Sequence, residues 1–205
     1  MQRKKAADIY IYGETPIKTL QKLLVAADLK IGERYVELGS GRGIGCLWAS
    51  SHIGCVATGV EWVPRFVFFA KCIAWLTCIP VRFVKMSFFE FDCSDADVVY
   101  LYGIHLTDLE WSALLPKLES MPPGSRLIII SEPIAHPQFV PLASIAVDFP
   151  WGRTEAFVLK KQVQLAQKNP ICHNLCENTG HYETKIRPSS HRTKMAKNLE
   201  TKESI

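Results

Sequence analysis

The chain has 205 residues, 48% hydrophobic and 21% charged, with a formal net charge of +4. That composition excludes a wholly disordered chain and suits one globular domain with a substantial core. From Lys160 onward nine Lys or Arg face four Glu, whereas residues 1–159 carry fifteen basic and sixteen acidic groups, so the near-neutral body argues against extensive phosphate contact with a nucleic-acid partner.

The start, Met-Gln-Arg-Lys-Lys, is basic, but no apolar signal core follows, and a cytoplasmic protein is expected. A loop, Tyr12-Gly13-Glu14-Thr15, leads to Pro16 at the first position of a helix over Ile17–Ala27. Residues 1–32 are read as an N-terminal helical or lid segment. Arg34–Leu38 is a short strand ending at a glycine cluster, and Ile44–Ser51 is the helix after it. Cys55–Val60 is a second strand ending at Glu61. Pro64–Leu76 is helical, with Phe66, Phe69, Ala70, Ile73 and Leu76 roughly on one face. The very apolar stretch from Val60 to Val84 is interrupted by Pro64, Arg65, Lys71 and Pro80. It holds no run of about 18 uncharged apolar residues, so a buried helix and a buried strand are expected rather than a span.

Val81–Lys85 is a third strand and Ala96–Tyr102 a fourth, continuous and buried. Thr107 caps a helix running to Leu118, Pro122-Pro123-Gly124 turns, and Arg126–Ile130 is a fifth strand. The order implies a doubly wound α/β fold, a mostly parallel sheet with helices on both faces. Ile145–Phe149 and Ala156–Lys160 flank Pro150-Trp151-Gly152 as a closing antiparallel hairpin. Residues 33–163 form the ligand-binding domain, and 164–205 a basic tail without apolar periodicity. The seven cysteines (Cys46, Cys55, Cys72, Cys78, Cys93, Cys172 and Cys176) are odd in number and irregularly spaced, which suggests reduced thiols. Cys172, His173, Cys176 and His181 lack the compact spacing of a zinc module, and no metal is expected.

The central motif is Glu37-Leu-Gly39-Ser-Gly41-Arg-Gly43-Ile-Gly45, between a strand and a helix. Glycines there let a ligand lie against bare main chain at the carboxyl edge of the sheet. The dinucleotide fingerprint Gly-x-Gly-x-x-Gly fails, because its third position falls on Ile44 or Cys46. No Gly-Lys-Ser/Thr follows, which removes a Walker loop. A carboxylate at Glu37 instead complements a cation such as the sulfonium and α-amino group of S-adenosylmethionine (SAM). Glu61, twenty residues after Gly41, can accept both ribose hydroxyls.

At these residues the chain resembles the class I SAM-dependent methyltransferases, over roughly Tyr10 to Lys161. The resemblance implies a seven-stranded sheet with a reversed final hairpin and SAM as cofactor. Tyr12-Gly13-Glu14-Thr15, Leu-Gly-Ser-Gly and Gly59-Val60-Glu61 are similar to the small histone lysine methyltransferases of telomeric silencing. That likeness implies that Tyr12 and Thr15 help close the pocket and that the acceptor is a protein side chain, lysine in particular. Where the family has an acid for the adenine amino group this chain has Met86-Ser87-Phe88. Ser87 is read as accepting that hydrogen bond and Phe88 as covering the ring. Tyr102-Gly103-Ile104-His105 replaces the family's asparagine-containing segment. Tyr102 is the leading aromatic wall of the acceptor pocket, with Tyr12, Trp111, Phe149 and Trp151 as further candidates, and His105 is the candidate base. The alternatives are a small-molecule or RNA acceptor, or a SAM-binding module without catalysis.

Overall fold

In the computed structural model, residues 14–104, 106–131 and 134–162 are described. Tyr12, His105, Glu132 and the tail from residue 163, including its Cys and His residues, lie outside them. In chain order the elements are α1 (Ile17–Ala26), β1 (Arg34–Leu38), α2 (Ile44–Ile53), β2 (Val56–Glu61), α3 (Pro64–Thr77), β3 (Val81–Lys85), β4 (Val98–Leu101), α4 (Asp108–Glu119), β5 (Arg126–Ile130), β6 (Phe139–Phe149) and β7 (Gly152–Lys161).

The strands build one seven-stranded sheet in the order β3-β2-β1-β4-β5-β7-β6. The first five are parallel, and β7 runs antiparallel to both β5 and β6. β4 and, after Arg126, β5 are continuous apolar runs because both of their faces are covered, and β1 is likewise buried from Tyr35 to Leu38. Alternation along β1 divides the core. Tyr35 faces the cluster made by α1, α2 and α3, whereas Val36 and Leu38 face the cluster built with Leu114 and Leu118 of α4. The strand order reverses between β1 and β4, so their carboxyl ends open a crevice at the topological switch point.

Several boundaries differ from the sequence reading. Pro16 is the residue before α1 rather than its first; its ψ of 140° is extended, and its carbonyl accepts the Leu20 N–H at 2.9 Å. β6 begins at Phe139 rather than Ile145, because Pro141 is tolerated on an edge strand, where the register shifts between Pro141 and Ala143. β7 begins at Gly152 rather than Ala156, its polar start carried by pairing with β6. Thr107 caps α4 as expected: its hydroxyl accepts the Glu110 N–H while the Glu110 carboxylate accepts the Thr107 N–H.

α3 is the largest correction. Its buried face is Val67, Ala70 and Ala74; of the residues that periodicity places roughly on one face, Ala70 is buried, whereas Phe69, Ile73 and Leu76 are exposed. The helix is apolar on both sides, so period alone does not choose a face. Ala70 lies close against the glycine loop: a Cβ at Gly43 would lie 3.0 Å from the Ala70 Cβ.

Candidate functional site

The glycine loop takes its shape from three left-handed residues, Gly39, Gly41 and Gly43, at φ +82°, +52° and +79°. Gly39 and Ser40 donate their N–H groups to the Val60 carbonyl at 2.8 and 3.0 Å, tying the loop to the end of β2. Each glycine answers to a different neighbour. A Cβ on Gly43 would strike the Phe83 ring, whereas one on Gly39 would meet nothing within 4 Å. The main chain at Gly39 therefore borders open space.

Glu37 faces that space. It is buried, lies on β1 opposite Tyr100 of β4, and points along the first turn of α2. Its carboxylate accepts the Cys46 thiol at 3.2 Å and the Cys46 backbone N–H. Burial, opposed by those hydrogen bonds and reinforced by the negative charges of Glu14 and Glu61, raises its pKa to about 7. Gly45 makes this placement possible, since a Cβ there would lie 2.5 Å from Glu37 Oε2.

One pocket brings together Thr15, Glu37, Gly39 and Tyr102 from the residues singled out in the sequence, and adds Glu14, Ser40, Ile44, Gly45 and Tyr100. The Thr15 hydroxyl and the Tyr100 hydroxyl are 2.5 Å apart, which fastens the N-terminal loop over β4. Glu14 pairs with Arg42 of the glycine loop. Two buried polar atoms in this pocket, Glu14 Oε1 and Ser40 Oγ, have no hydrogen-bond partner. Buried polar atoms are ordinarily satisfied, so two unsatisfied ones among the residues that line this pocket give it polar capacity for a ligand.

Glu61 stands at the end of β2 and braces the loop: its carboxylate accepts the Gly41 N–H at 2.9 Å and the Val63 N–H at 2.7 Å. Each oxygen keeps a lone pair for a further donor. Ser87 and Phe88 follow β3 directly after Met86, whose N–H donates to the Glu61 carbonyl at 3.1 Å. Phe88 packs on Phe89 at 4.4 Å between ring centroids. The two residues thus follow the end of β3 beside Glu61, Phe88 on the α4 side of the sheet, and neither lines the Glu37 pocket.

Of the aromatic candidates, Tyr102, Phe149 and Trp151 come together. Tyr102 meets Phe149 edge-on at 5.5 Å, Trp151 stacks on Phe149 at 5.2 Å, and the Trp151 indole N–H donates to the Tyr102 hydroxyl at 2.7 Å. Burial raises the Tyr102 pKa, and the Trp151 hydrogen bond partly offsets it. Trp111 belongs to the other core cluster, against α4's neighbours. The sequence motifs contain Glu14, Ser40 and Gly45 but gave them no role of their own, and Tyr100 was missed. Tyr100 was findable, because it lies two residues before Tyr102 and so shares its face of the strand. No sequence signal identified the unpartnered atoms.

No protein-family model and no curated protein matches the chain. Solved structures share its architecture. An RNA methyltransferase from Salinibacter ruber, in complex with S-adenosyl-L-homocysteine, aligns with a TM-score of 0.63 at 24% identity, over 80% of this chain and 99% of that one. A 1,6-didemethyltoxoflavin-N1-methyltransferase from Burkholderia thailandensis, with bound 1,6-didemethyltoxoflavin and S-adenosylhomocysteine, aligns at 0.60 and 17% identity, over 77% and 82%. TrmN from Thermus thermophilus aligns at 0.61 and 20% identity; this chain spans 48% of its length and 69% of its own. The fold is the Rossmann-like fold of these methyltransferases, mostly parallel with an antiparallel C-terminal pair.

Proposed function

We propose that the protein is a SAM-dependent methyltransferase acting on a flat small molecule or a nucleobase. The observation that carries this reading is the buried Glu37 carboxylate facing open space over the bare Gly39 main chain at the switch point of the sheet. The donor set suits the cofactor. Glu37 complements the cationic methionine end, and the orphaned Ser40 hydroxyl and Glu14 oxygen offer it further hydrogen bonds. Gly39, Gly41 and Gly43 give the approach, Glu61 takes the ribose hydroxyls, and Ser87 and Phe88 meet the adenine. Thr15, with Tyr12 before it, closes the methionine end.

When bound, SAM supplies a methyl carbon on a sulfonium sulfur, displaced in line by the acceptor. The protein's own part is to orient and desolvate. Tyr102, Phe149 and Trp151 offer a rigid aromatic wall on which a ring stacks and from which water is excluded. His105 is the candidate proton acceptor for the reacting group. The flat-acceptor reading is preferred because the Salinibacter and Burkholderia proteins are named for RNA and for 1,6-didemethyltoxoflavin. A protein lysine is the second reading. It rests on the Tyr12–Thr15 likeness and on the lowering of an amine pKa by aromatic walls.

Incubation of a host lysate with the protein and radiolabelled SAM tests the assignment. Label that survives protease supports the flat acceptor, and its loss to nuclease then identifies RNA. Label lost to protease alone replaces the reading with lysine, and absence of label in every fraction overturns both.

A further inference from the structure

We propose that α3 is a peripheral membrane face that docks on anionic phospholipid bilayers. The helix buries only Val67, Ala70 and Ala74 against the sheet. Its outer side is apolar and open: Phe68 is 64% exposed, Trp75 78% and Leu76 71%, and Trp62, just before the helix, is 61% exposed. At 100° per residue, Arg65, Phe68, Phe69, Cys72, Trp75 and Leu76 fall on the side away from the buried residues. Pro64, Arg65, Phe68 and Phe69 line a shallow depression there.

Charge selects the occupant. Residues 62–89 contain Arg65, Lys71, Arg82 and Lys85 and no Asp or Glu, while residues 1–159 as a whole are near neutral. Lys85 stands exposed on β3, the edge strand against which α3 packs, and alternation puts it on the same face as Phe83, whereas Arg82 falls on the opposite face. Aromatic and aliphatic rings amid cations, with no acid, are the composition of helices that lie in the headgroup region. Phosphate headgroups complement Arg65, Lys71 and Lys85, and the acyl boundary receives the rings. A symmetric contact between two copies would set like charges against each other. A single strand of nucleic acid would use the cations but leave Leu76 and Ile73 uncovered. With 14 residues α3 lies on a bilayer and does not cross it, and no helix among the described residues is long and apolar enough to span. The inference is independent of the methyltransferase reading.

Co-sedimentation of the full chain with vesicles, read together with tryptophan fluorescence, is the test. Vesicles of phosphatidylcholine and phosphatidylserine at roughly 70:30 should retain the protein about tenfold better than pure phosphatidylcholine, with a blue shift, and about 0.5 M NaCl should weaken retention. Phe68→Ser combined with Trp75→Ser should lower retention about tenfold, and Arg65→Glu with Lys71→Glu should do the same, with circular dichroism unchanged in both. Equal retention on both lipids, or none, overturns the proposal. So does a concentration-dependent dimer, or retention on RNA, that the Phe68→Ser/Trp75→Ser variant abolishes.

Discussion

Glu37→Gln should make the protein more stable and a weaker SAM binder at once. Burial raises the Glu37 pKa from an ordinary value near 4.5 to about 7, so between those values the folded state holds a proton that the unfolded chain has released. Stability contributed at this site therefore falls as pH rises through that window and is level above it. At about 1.4 kcal/mol per pH unit, the loss comes to about 3 kcal/mol between pH 4 and pH 8. Glutamine keeps the shape, can accept from Cys46, and has no charge to desolvate. Denaturant unfolding of both proteins across that range should show the variant's advantage growing by about 3 kcal/mol toward pH 8. The affinity of the wild type for cationic SAM should rise with pH up to about 7 and then level, because the ligand selects the ionised carboxylate; in the variant it should be about tenfold weaker and flat. Parallel stability curves for the two proteins would refute the reasoning, since they would mean that Glu37 ionises in the fold as it does in water.

Gly39→Ala should fold with a cost of roughly 1–2 kcal/mol from its left-handed backbone, because its Cβ meets no neighbour; SAM titration should show a disproportionate loss of affinity as the methyl enters the ligand's space. Tyr100→Phe removes the hydroxyl that holds Thr15 and should cost about 1 kcal/mol in unfolding, with a raised KM for SAM and little change in kcat. Arg126 donates to both carboxylate oxygens of Glu33 and to the carbonyls of Ala27 and Asp28. Arg126→Ala should therefore lower stability by about 2 kcal/mol without altering the pH profile of SAM binding.

The sheet's first five strands were legible because they are short apolar or β-branched runs ended by glycine, proline or charge, with β4 and β5 continuously apolar as a doubly covered parallel sheet demands. Arg34–Leu38 and Arg126–Ile130 coincide with β1 and β5. The final hairpin was recognised but shortened, since Pro141 and the polar start of β7 carry no strand signal until an edge position permits the one and cross-strand pairing the other. The stripe that periodicity picks out along α3 shares only Ala70 with the buried face, because a helix with aromatic and aliphatic residues on both sides has no direction of its own. In the site, the motif supplied Glu37 and Gly39, whose type and spacing carry the chemistry. Glu61 was read only as an acceptor for the ribose hydroxyls, and its carboxylate also braces the loop. Long-range meetings were not legible: Thr15 with Tyr100, Glu14 with Arg42 and Trp151 with Tyr102 are set by topology.

Isothermal titration of the purified protein with SAM at pH 8 tests the central claim most directly. One saturable site, competed by S-adenosylhomocysteine and lost in Gly39→Val, is the predicted result. A folded wild-type protein that releases or absorbs no heat, or binding that Gly39→Val leaves intact, would contradict it.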